Sequence, residues 1–258
     1  MKICVLIKQV PDKNASLEIA HDNCSLEENN ITWVSNESDN YALEEAQLIK
    51  EAHGGEVVAC TLGGESASQV LKDAMAKGAD RSIFLTDKQF NSLDILSLAK
   101  VFACALKDEN FDLILSGLQS DEQGNSQLGL LLAELLNMSH ASLAMETEVQ
   151  NDNTIKVKRE LEGGWFQWSK LSLPASISIQ SGINTPRYAT LKGIMMVKNK
   201  ETKQLSAQDI GINNQPMVNL DKLYIPEKSK ETIFIDGSAD EIAGKLVDIF
   251  KNEIKVLN

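Results

Sequence analysis

The sequence predicts an α/β fold in which helices cover both faces of a parallel sheet, giving three layers. Over residues 1 to about 140, short apolar runs alternate with segments of helical apolar period, the pattern of βαβ units. A Gly-Gly turn between two strand-like runs adds a hairpin extension, and a polar stretch followed by an amphipathic segment adds a C-terminal arm and helix. We therefore divide the chain into an α/β domain, residues 1–200, and a C-terminal arm and helix, residues 201–258.

Four short apolar runs are the predicted strands of the parallel sheet, and four helical segments follow them. The strands are predicted at residues 3–7, 56–62, 82–86 and 111–116, and the helices at 40–52, 66–77, 92–107 and 125–136. Ser66 and Gln69 have the spacing of a capping box, and Gly78 is a typical helix end. The third helix carries its apolar residues at the spacing of one buried face.

Ligands of open α/β sheets bind where the carboxyl ends of the strands run into loops. Those loops are residues 8–40, 62–65 and 117–124. The last is rich in small and amide residues and leads directly into a helix, whose first backbone amides would suit a phosphate. This pattern is typical of a nucleotide site, although a capped surface loop would have the same composition.

After residue 145 the pattern changes to a predicted hairpin and a further strand. The hairpin is predicted at residues 148–162 and 165–171, and the strand at 175–180. A last helix begins at Ser238, which forms a second capping-box pattern with Glu241. Its apolar face must be buried on its own domain or on a partner chain.

Composition and missing motifs exclude several classes of function. With 25 Lys and Arg against 37 Asp and Glu, the formal charge is −12, which argues against a general nucleic-acid binder. No apolar stretch is long enough to span a bilayer and the chain begins with a strand, so we expect a cytoplasmic protein without membrane insertion. The usual NAD, NTPase and hydrolase fingerprints are missing.

The spacing of the cysteines and histidines gives no complete set of metal ligands. Cys4, Cys24, Cys60 and Cys104 form no CxxC pair, and we interpret them as buried small hydrophobic residues. His21 and Cys24 lie three residues apart, but neither of the other two histidines has a His or Cys at three or four residues to complete a set of ligands. We therefore expect no metal site.

Five motifs in register resemble the β subunit of electron-transfer flavoprotein. They are KICVLIKQVPD at 2–12, YALEEA at 41–46, AMAKGADR at 74–81, RELEGG at 159–164 and NTPRYATL at 184–191. The resemblance covers residues 1 to about 200. The tail motif YIPEK at 224–228 is most similar to forms that serve methylamine-type dehydrogenases.

The resemblance implies one half of a heterodimeric electron carrier that makes no bonds itself. In this family an α subunit holds most of the FAD, while the β subunit buries a structural AMP and presents a docking loop to a flavin-dependent dehydrogenase. Electrons then pass to a quinone-linked acceptor. The cofactor-binding residues that the resemblance implies are Cys4, Leu6, Lys8, Asn36, Leu62, Gly63, Gln119, Gly124, Asn125, Ser126, Gln127, Leu128 and Gly129.

At two places the sequence departs from the family pattern, which limits the residue roles that the resemblance implies. Entering the fourth helix, the chain has QGNSQL at 123–128 and keeps only Gln127 and Gly129 clearly, so phosphate contacts are expected mostly from the backbone. Lys13 stands where some relatives have an aromatic residue beside the flavin ring. We therefore assign no flavin-stacking residue.

The resemblance also implies residues for contacts with partner proteins. The docking residues are Tyr188, Leu191, Ile194 and Met195, with Leu191 as the apolar anchor, unless these side chains only cap the core. Glu160 is assigned to a contact with the α subunit, or is an exposed hairpin carboxylate. Arg187 is placed with it at the subunit boundary, where it could fix the loop base through a bidentate carboxylate or be an exposed cation.

Two other functions fit the same sequence. One is an electron-bifurcating form, in which a second FAD replaces AMP in the same pocket. The other is a stand-alone adenine-nucleotide-binding regulator of the universal-stress type, which needs neither an α subunit nor a flavin.

Overall fold

The computed structural model describes residues 1–213, 216–227 and 232–256. The chain forms two compact units, Met1–Leu223 and Tyr224–Asn258. The first unit therefore continues past the boundary expected at residue 200. The assignment of the C-terminal arm to a partner subunit stays a prediction.

The first unit is built on one nine-stranded sheet of order β11-β5-β4-β1-β6-β10-β7-β8-β9, with a separate β2-β3 pair. All neighbours from β11 to β7 are parallel, and β8 and β9 add an antiparallel hairpin. The strands are β1 Lys2–Leu6, β2 Gln9–Pro11, β3 Trp33–Ser35, β4 Glu56–Leu62, β5 Arg81–Leu85, β6 Leu113–Gly117, β7 Ser139–Val149, β8 Thr154–Glu160, β9 Phe166–Ser172, β10 Ala175–Ile179 and β11 Thr202–Leu205.

Helices pack on both faces of this sheet. They are α1 Glu37–His53, α2 Ser68–Ala76, α3 Ile95–Leu106 and α4 Leu128–Leu135, while the short helix α5 Leu191–Met196 packs on α2. Alternate residues of β1 enter two separate cores: Ile3 and Val5 lie with α1 and α2, while Cys4 and Leu6 lie with α3 and α4. The predicted three-layer α/β fold with a hairpin extension is confirmed.

Four helices, α1 to α4, begin elsewhere than the sequence pattern predicts. The prediction of a capping box at Ser66 and Gln69 is wrong. A 3-10 turn at Glu65–Ala67 precedes α2, and the Ser66 hydroxyl donates to the Gln9 side chain instead of capping the helix. Helix α3 begins at Ile95, capped by the Asp94 carboxylate, rather than at 92. Helix α4 begins at Leu128 rather than at 125, and α1 starts earlier than expected, at Glu37.

Several strands were not predicted because their apolar pattern is weak. β7 is interrupted by Leu143, whose positive φ of 58° breaks the alternation, so the hairpin starts well before residue 148. β11 is a short edge strand of mostly polar residues beside β5. β2 and β3 lie within the long loop between β1 and α1.

Cysteines and histidines form no cluster in the described ranges. Cys4 and Cys60 are buried as expected, but Cys24 is exposed and Cys104 only half-buried, so the interpretation of all four as buried is wrong. No group of three or more His, Cys, Asp or Glu side chains in the described part of the chain could hold a metal ion. No described helix is long and apolar enough to cross a membrane.

The second unit contains helix α6, Ala239–Asp248, which continues as a π-helical turn at Ile249–Glu253. Ser238 and Glu241 form the predicted capping box. Leu246, Phe250 and Ile254, from the predicted apolar face, are exposed.

Candidate functional site

A crevice opens where the chain leaves β1 and β6 in opposite directions. β1 pairs with β4 on one side and β6 on the other, and its loop leads to α1 on one face of the sheet. The loop after β6 leads to α4 on the other face. Such a switch point leaves a gap between diverging loops, and here it forms a cavity of about 240 Å³.

The cavity has a polar end and an apolar end. The polar end is formed by residues after β6 and before α4, together with Lys8, Asn36 and Asp39. The apolar end is formed by leucine and phenylalanine side chains, with Phe90 and Phe102 from around α3. An amphipathic ligand with one flat apolar portion and one strongly polar portion would match this division.

A buried hydroxyl and a helix start lie at the polar end. The Oγ of Ser116 is buried and has no hydrogen-bond partner among the described residues. Gln127, at the N-cap of α4, makes no side-chain capping bond, so the first amides of this helix lack both intrahelical and side-chain acceptors. Both features could be satisfied by an anionic oxygen.

Gly129 allows α4 to begin close to the sheet. A Cβ at this position would lie 2.5 Å from the Ser178 Oγ and 3.0 Å from the Ser116 Oγ. Any larger residue would push the helix away from the crevice floor. Gly129 therefore positions the helix start rather than lining the cavity.

Asn36 holds the loop after β6 in place. Its Nδ2 donates to the Gln119 carbonyl at 2.9 Å, and its Oδ1 accepts from the Asp121 amide at 3.0 Å. The Ser38 hydroxyl also donates to the Gln119 carbonyl, at 2.8 Å. The Asn36 side chain is buried and is engaged within the chain, so its role is to position the loop.

Asp39 lies under the same loop and has no equivalent in the sequence-based site. Its Oδ1 accepts from the Gly117 amide at 2.9 Å and its Oδ2 from the Lys8 amide at 2.8 Å. Burial raises the pKa of Asp39 to about 7, against the effect of these hydrogen bonds and of the nearby Asn36 and Lys8 side chains. Gly117 must be glycine here, since a Cβ would lie 2.4 Å from the Asp39 Oδ1.

Among the described residues, Lys8 is the one lysine that lines the cavity, and it is already paired. The Lys8 Nζ contacts the Glu122 carboxylate and donates to the Gln123 Oε1 at 3.2 Å. The loop is closed on itself as well, because the Ser126 hydroxyl donates to the Gln119 Oε1 at 2.9 Å. Backbone groups rather than a free cation are therefore available at the polar end.

Most of the cofactor-binding residues implied by the sequence meet at this cavity. Its lining includes Leu6, Lys8, Asn36, Leu62, Gln119, Asn125, Ser126, Gln127 and Leu128. Cys4 lies in the core below it, and Gly63 and Gly124 belong to adjacent turns. The sequence reasoning missed Asp39 and the apolar wall from α3. A nucleotide-binding role for these residues stays a prediction.

The docking residues form an exposed apolar face on and just before the short helix α5. Leu191 is 82% exposed and Tyr188 92%, and Ile194 and Met195 are exposed beside them. These side chains do not cap the core. The segment expected as a loop is helical because the Thr190 hydroxyl caps it, accepting from the Gly193 amide at 3.0 Å.

Arg187 fixes the base of this segment to α1. Its Nε and Nη2 donate to the two oxygens of the buried Glu44 at 2.8 and 2.9 Å, and its Nη1 donates to Glu51 at 2.6 Å. These carboxylates raise the pKa of Arg187 above its usual value. All three guanidinium nitrogens are used within the chain, which favours the loop-base role over a direct contact with a partner subunit.

Glu160 ends the hairpin strand β8. Its Oε2 accepts from the Gln180 Nε2 at 3.0 Å, and the side chain is only partly buried. The exposed Trp165 and Phe166 follow in the turn and in β9. A contact of Glu160 with an α subunit stays a prediction.

Comparison with known proteins gives a single family. Residues 24–210 match the family described as "Electron transfer flavoprotein domain". The chain is 34% identical to the electron transfer flavoprotein subunit beta of Methylophilus methylotrophus, with 99% of each chain covered, and 31% identical to that of Bacillus subtilis, with 100% covered. It is also 33% identical to the mitochondrial subunit beta of Arabidopsis thaliana over 100% of each chain. The chain belongs to the family of electron transfer flavoprotein β subunits.

Proposed function

We propose that the protein is the β half of a heterodimeric electron carrier, which keeps one AMP in the crevice between β1 and β6. In this proposal FAD is held mainly by an α subunit. Electrons reach it from a flavin-dependent dehydrogenase of the methylamine type and leave to a quinone-linked acceptor, all in the cytoplasm. The single observation that carries the AMP assignment is the crevice at the switch point, with its polar and apolar ends.

The residues of the crevice fit a nucleoside monophosphate. The unpaired Ser116 hydroxyl and the uncapped start of α4 offer donors for a phosphate. The amide-rich loop, with Gln119 and Asn125, offers partners for the ribose, and Phe90 and Phe102 provide an apolar wall for the base. A phosphate held by backbone and hydroxyl donors needs no cation, which agrees with the pairing of Lys8 to Glu122.

The size of the cavity favours AMP over a dinucleotide. The cavity has a volume of about 240 Å³, which is small for a dinucleotide such as FAD, a much larger molecule than AMP. A second FAD would have to extend well beyond this volume. The size therefore favours the simple carrier over the bifurcating form.

The chain's own contribution to electron transfer is positional. Bound FAD supplies the electron-accepting chemistry, and the protein supplies binding and orientation. The exposed face of Tyr188, Leu191, Ile194 and Met195 gives a dehydrogenase a small apolar surface. A carrier needs contacts that release quickly, and small interfaces meet that need.

The test is co-expression of the chain with its α subunit, followed by an absorption spectrum and nucleotide extraction. We expect one FAD and one AMP per heterodimer. Two FAD would support the bifurcating form instead, and a colourless homodimer that binds ATP would support the stand-alone regulator.

Expression of the chain alone provides the matched control. We expect it to retain AMP but little flavin, because the crevice is formed within residues 1–223. Tight FAD binding by the isolated chain would contradict this division between the subunits.

A further inference from the structure

The floor of the crevice depends on two backbone amides, that of Lys8 just after β1 and that of Gly117 at the end of β6. β1 and β6 are in register up to the pair Leu6 and Ser116, and beyond it their chains separate. The Lys8 and Gly117 amides lie just past this point, and both donate to the Asp39 carboxylate. One side chain of α1 thus joins the two strand ends where they diverge.

We propose that Asp39 is a positioning residue of the nucleotide site, whose ionised carboxylate fixes the ends of β1 and β6 so that the loop after β6 can accept the nucleotide. The inference rests on the proposed function, and it adds a residue that the family resemblance did not assign. Asp39 does not itself need to touch the ligand. It acts through Gly117, which leads into the loop of Gln119.

Protonation would disrupt this arrangement for a simple chemical reason. An ionised carboxylate only accepts hydrogen bonds, which suits the two N–H donors of Lys8 and Gly117. A protonated carboxyl carries an O–H group that needs an acceptor, whereas the Lys8 and Gly117 amides that face it are both donors. A neutral carboxyl also accepts the Lys8 and Gly117 hydrogen bonds more weakly than a carboxylate does, so the loop would lose part of its support.

The titration falls in an accessible range. Burial raises the pKa of Asp39 to about 7, so its charge changes between pH 6 and 8. The charged groups around it are Lys8 at the end of β1, paired with Glu122 after β6, and Glu37 on α1, which contacts Lys13. A change in this window that Asp39→Asn abolishes is assigned to Asp39.

The first test measures AMP affinity of the full chain by calorimetry from pH 6 to 8.5, for the wild type, Asp39→Asn and Glu37→Gln. Glu37→Gln removes the same charge from the first turn of the same helix at an exposed position. AMP's own phosphate gains a proton near pH 6, so the contribution of Asp39 is the difference between the curves. We expect Asp39→Asn to bind about tenfold more weakly at pH 8.5, equivalent to the loss of one charge-assisted hydrogen bond, and about equally to wild type at pH 6.

The second test needs no ligand. In ¹⁵N NMR spectra of the wild-type chain, the Lys8 and Gly117 amides should titrate together with a midpoint near neutral pH, and Asp39→Asn should abolish that transition. Equal AMP affinity in wild type and Asp39→Asn at pH 8.5, or amides without a midpoint between pH 6 and 8, would overturn the inference. Wild-type protein that titrates as expected but binds no AMP at any pH would instead reject the proposed function, and the positioning role with it.

Discussion

Two buried carboxylates on α1, Asp39 and Glu44, meet different partners. Asp39 is bound by neutral backbone amides, and burial raises its pKa to about 7. Glu44 is bound by the Arg187 guanidinium at both oxygens. The first arrangement makes a site sensitive to pH, while the second is an ion pair that fixes Arg187 to α1.

The Arg187–Glu44 contact should contribute more to the free energy of unfolding than the exposed Arg187–Glu51 contact. We expect Glu44→Gln to lower the free energy of unfolding by about 1–3 kcal/mol, because it breaks a bidentate, largely buried charge-assisted pair. Glu51→Gln, which removes a mostly exposed partner of the same arginine, should cost under about 1 kcal/mol. Urea unfolding of both variants checks the ranking, and equal losses would mean that the Glu44 pair has no special weight.

Asp39 should also give the stability of the protein a pH dependence of defined sign. Its pKa is raised in the folded state, from 3.8 to about 7, so the folded chain binds more protons than the unfolded chain between these values. The free energy of unfolding that Asp39 contributes should therefore fall as pH rises from about 4 to 7, by a few kcal/mol at most. Urea unfolding of wild type minus Asp39→Asn isolates this contribution, and a difference that rises with pH would contradict it.

Leu191 tests the docking face at the scale of one side chain. We expect Leu191→Ala to slow reduction by the dehydrogenase while FAD and AMP contents stay unchanged, because the side chain is exposed and supports no core. Leu17→Ala, another exposed leucine, is the control and should leave the rate unchanged. Loss of FAD from the Leu191 variant would mean that the segment is structural.

At the level of elements, the sequence predicts strands and helices where local pattern and tertiary burial agree. The central strands β1, β4, β5 and β6 are buried on both faces and read as short apolar runs. β11 and β7 were missed because one is a polar edge strand and the other is bent at Leu143. Helix starts shifted because the caps, such as Asp94, depend on local backbone geometry that spacing alone does not fix.

The packing of α5 on α2 depends on one glycine. A Cβ at Gly193 would lie 2.1 Å from the Ala76 carbonyl oxygen, so Gly193→Ala must push α5 away from the end of α2. We expect a loss of about 1–3 kcal/mol in stability and slower reduction by the dehydrogenase. Gly244→Ala in α6, with nothing within 4 Å, is the matched control and should stabilise by up to about 1 kcal/mol.

For the whole molecule, the candidate site could be predicted only in part. The loop 117–124 was found because a strand-to-helix turn rich in amide residues is visible in the sequence. Asp39 was not found, because its partners at Lys8 and Gly117 are brought together only by the order of the strands. The apolar wall from Phe90 and Phe102 was missed because those residues look like ordinary core positions.

Assembly should depend on the second unit. We expect deletion of residues 230–258 to weaken formation of the heterodimer, because the exposed apolar residues of α6 and the turn after it need a surface to cover them. AMP content should remain, since the cavity lies within the first unit. Size-exclusion chromatography of the co-expressed subunits checks assembly and nucleotide extraction checks the AMP content. An intact complex after the deletion would refute the role of the arm.

Helix α1 supports both the crevice and the docking segment, which affects how the phenotypes of variants are interpreted. Its first turn supports the crevice through Asp39 and Ser38, and its middle supports the docking segment through Glu44, which binds Arg187. A substitution in α1 can therefore impair both the crevice and the docking segment, and its effect on one can be mistaken for a defect in the other. Nucleotide occupancy and donor kinetics have to be measured on the same preparation before a phenotype is ascribed to one of them.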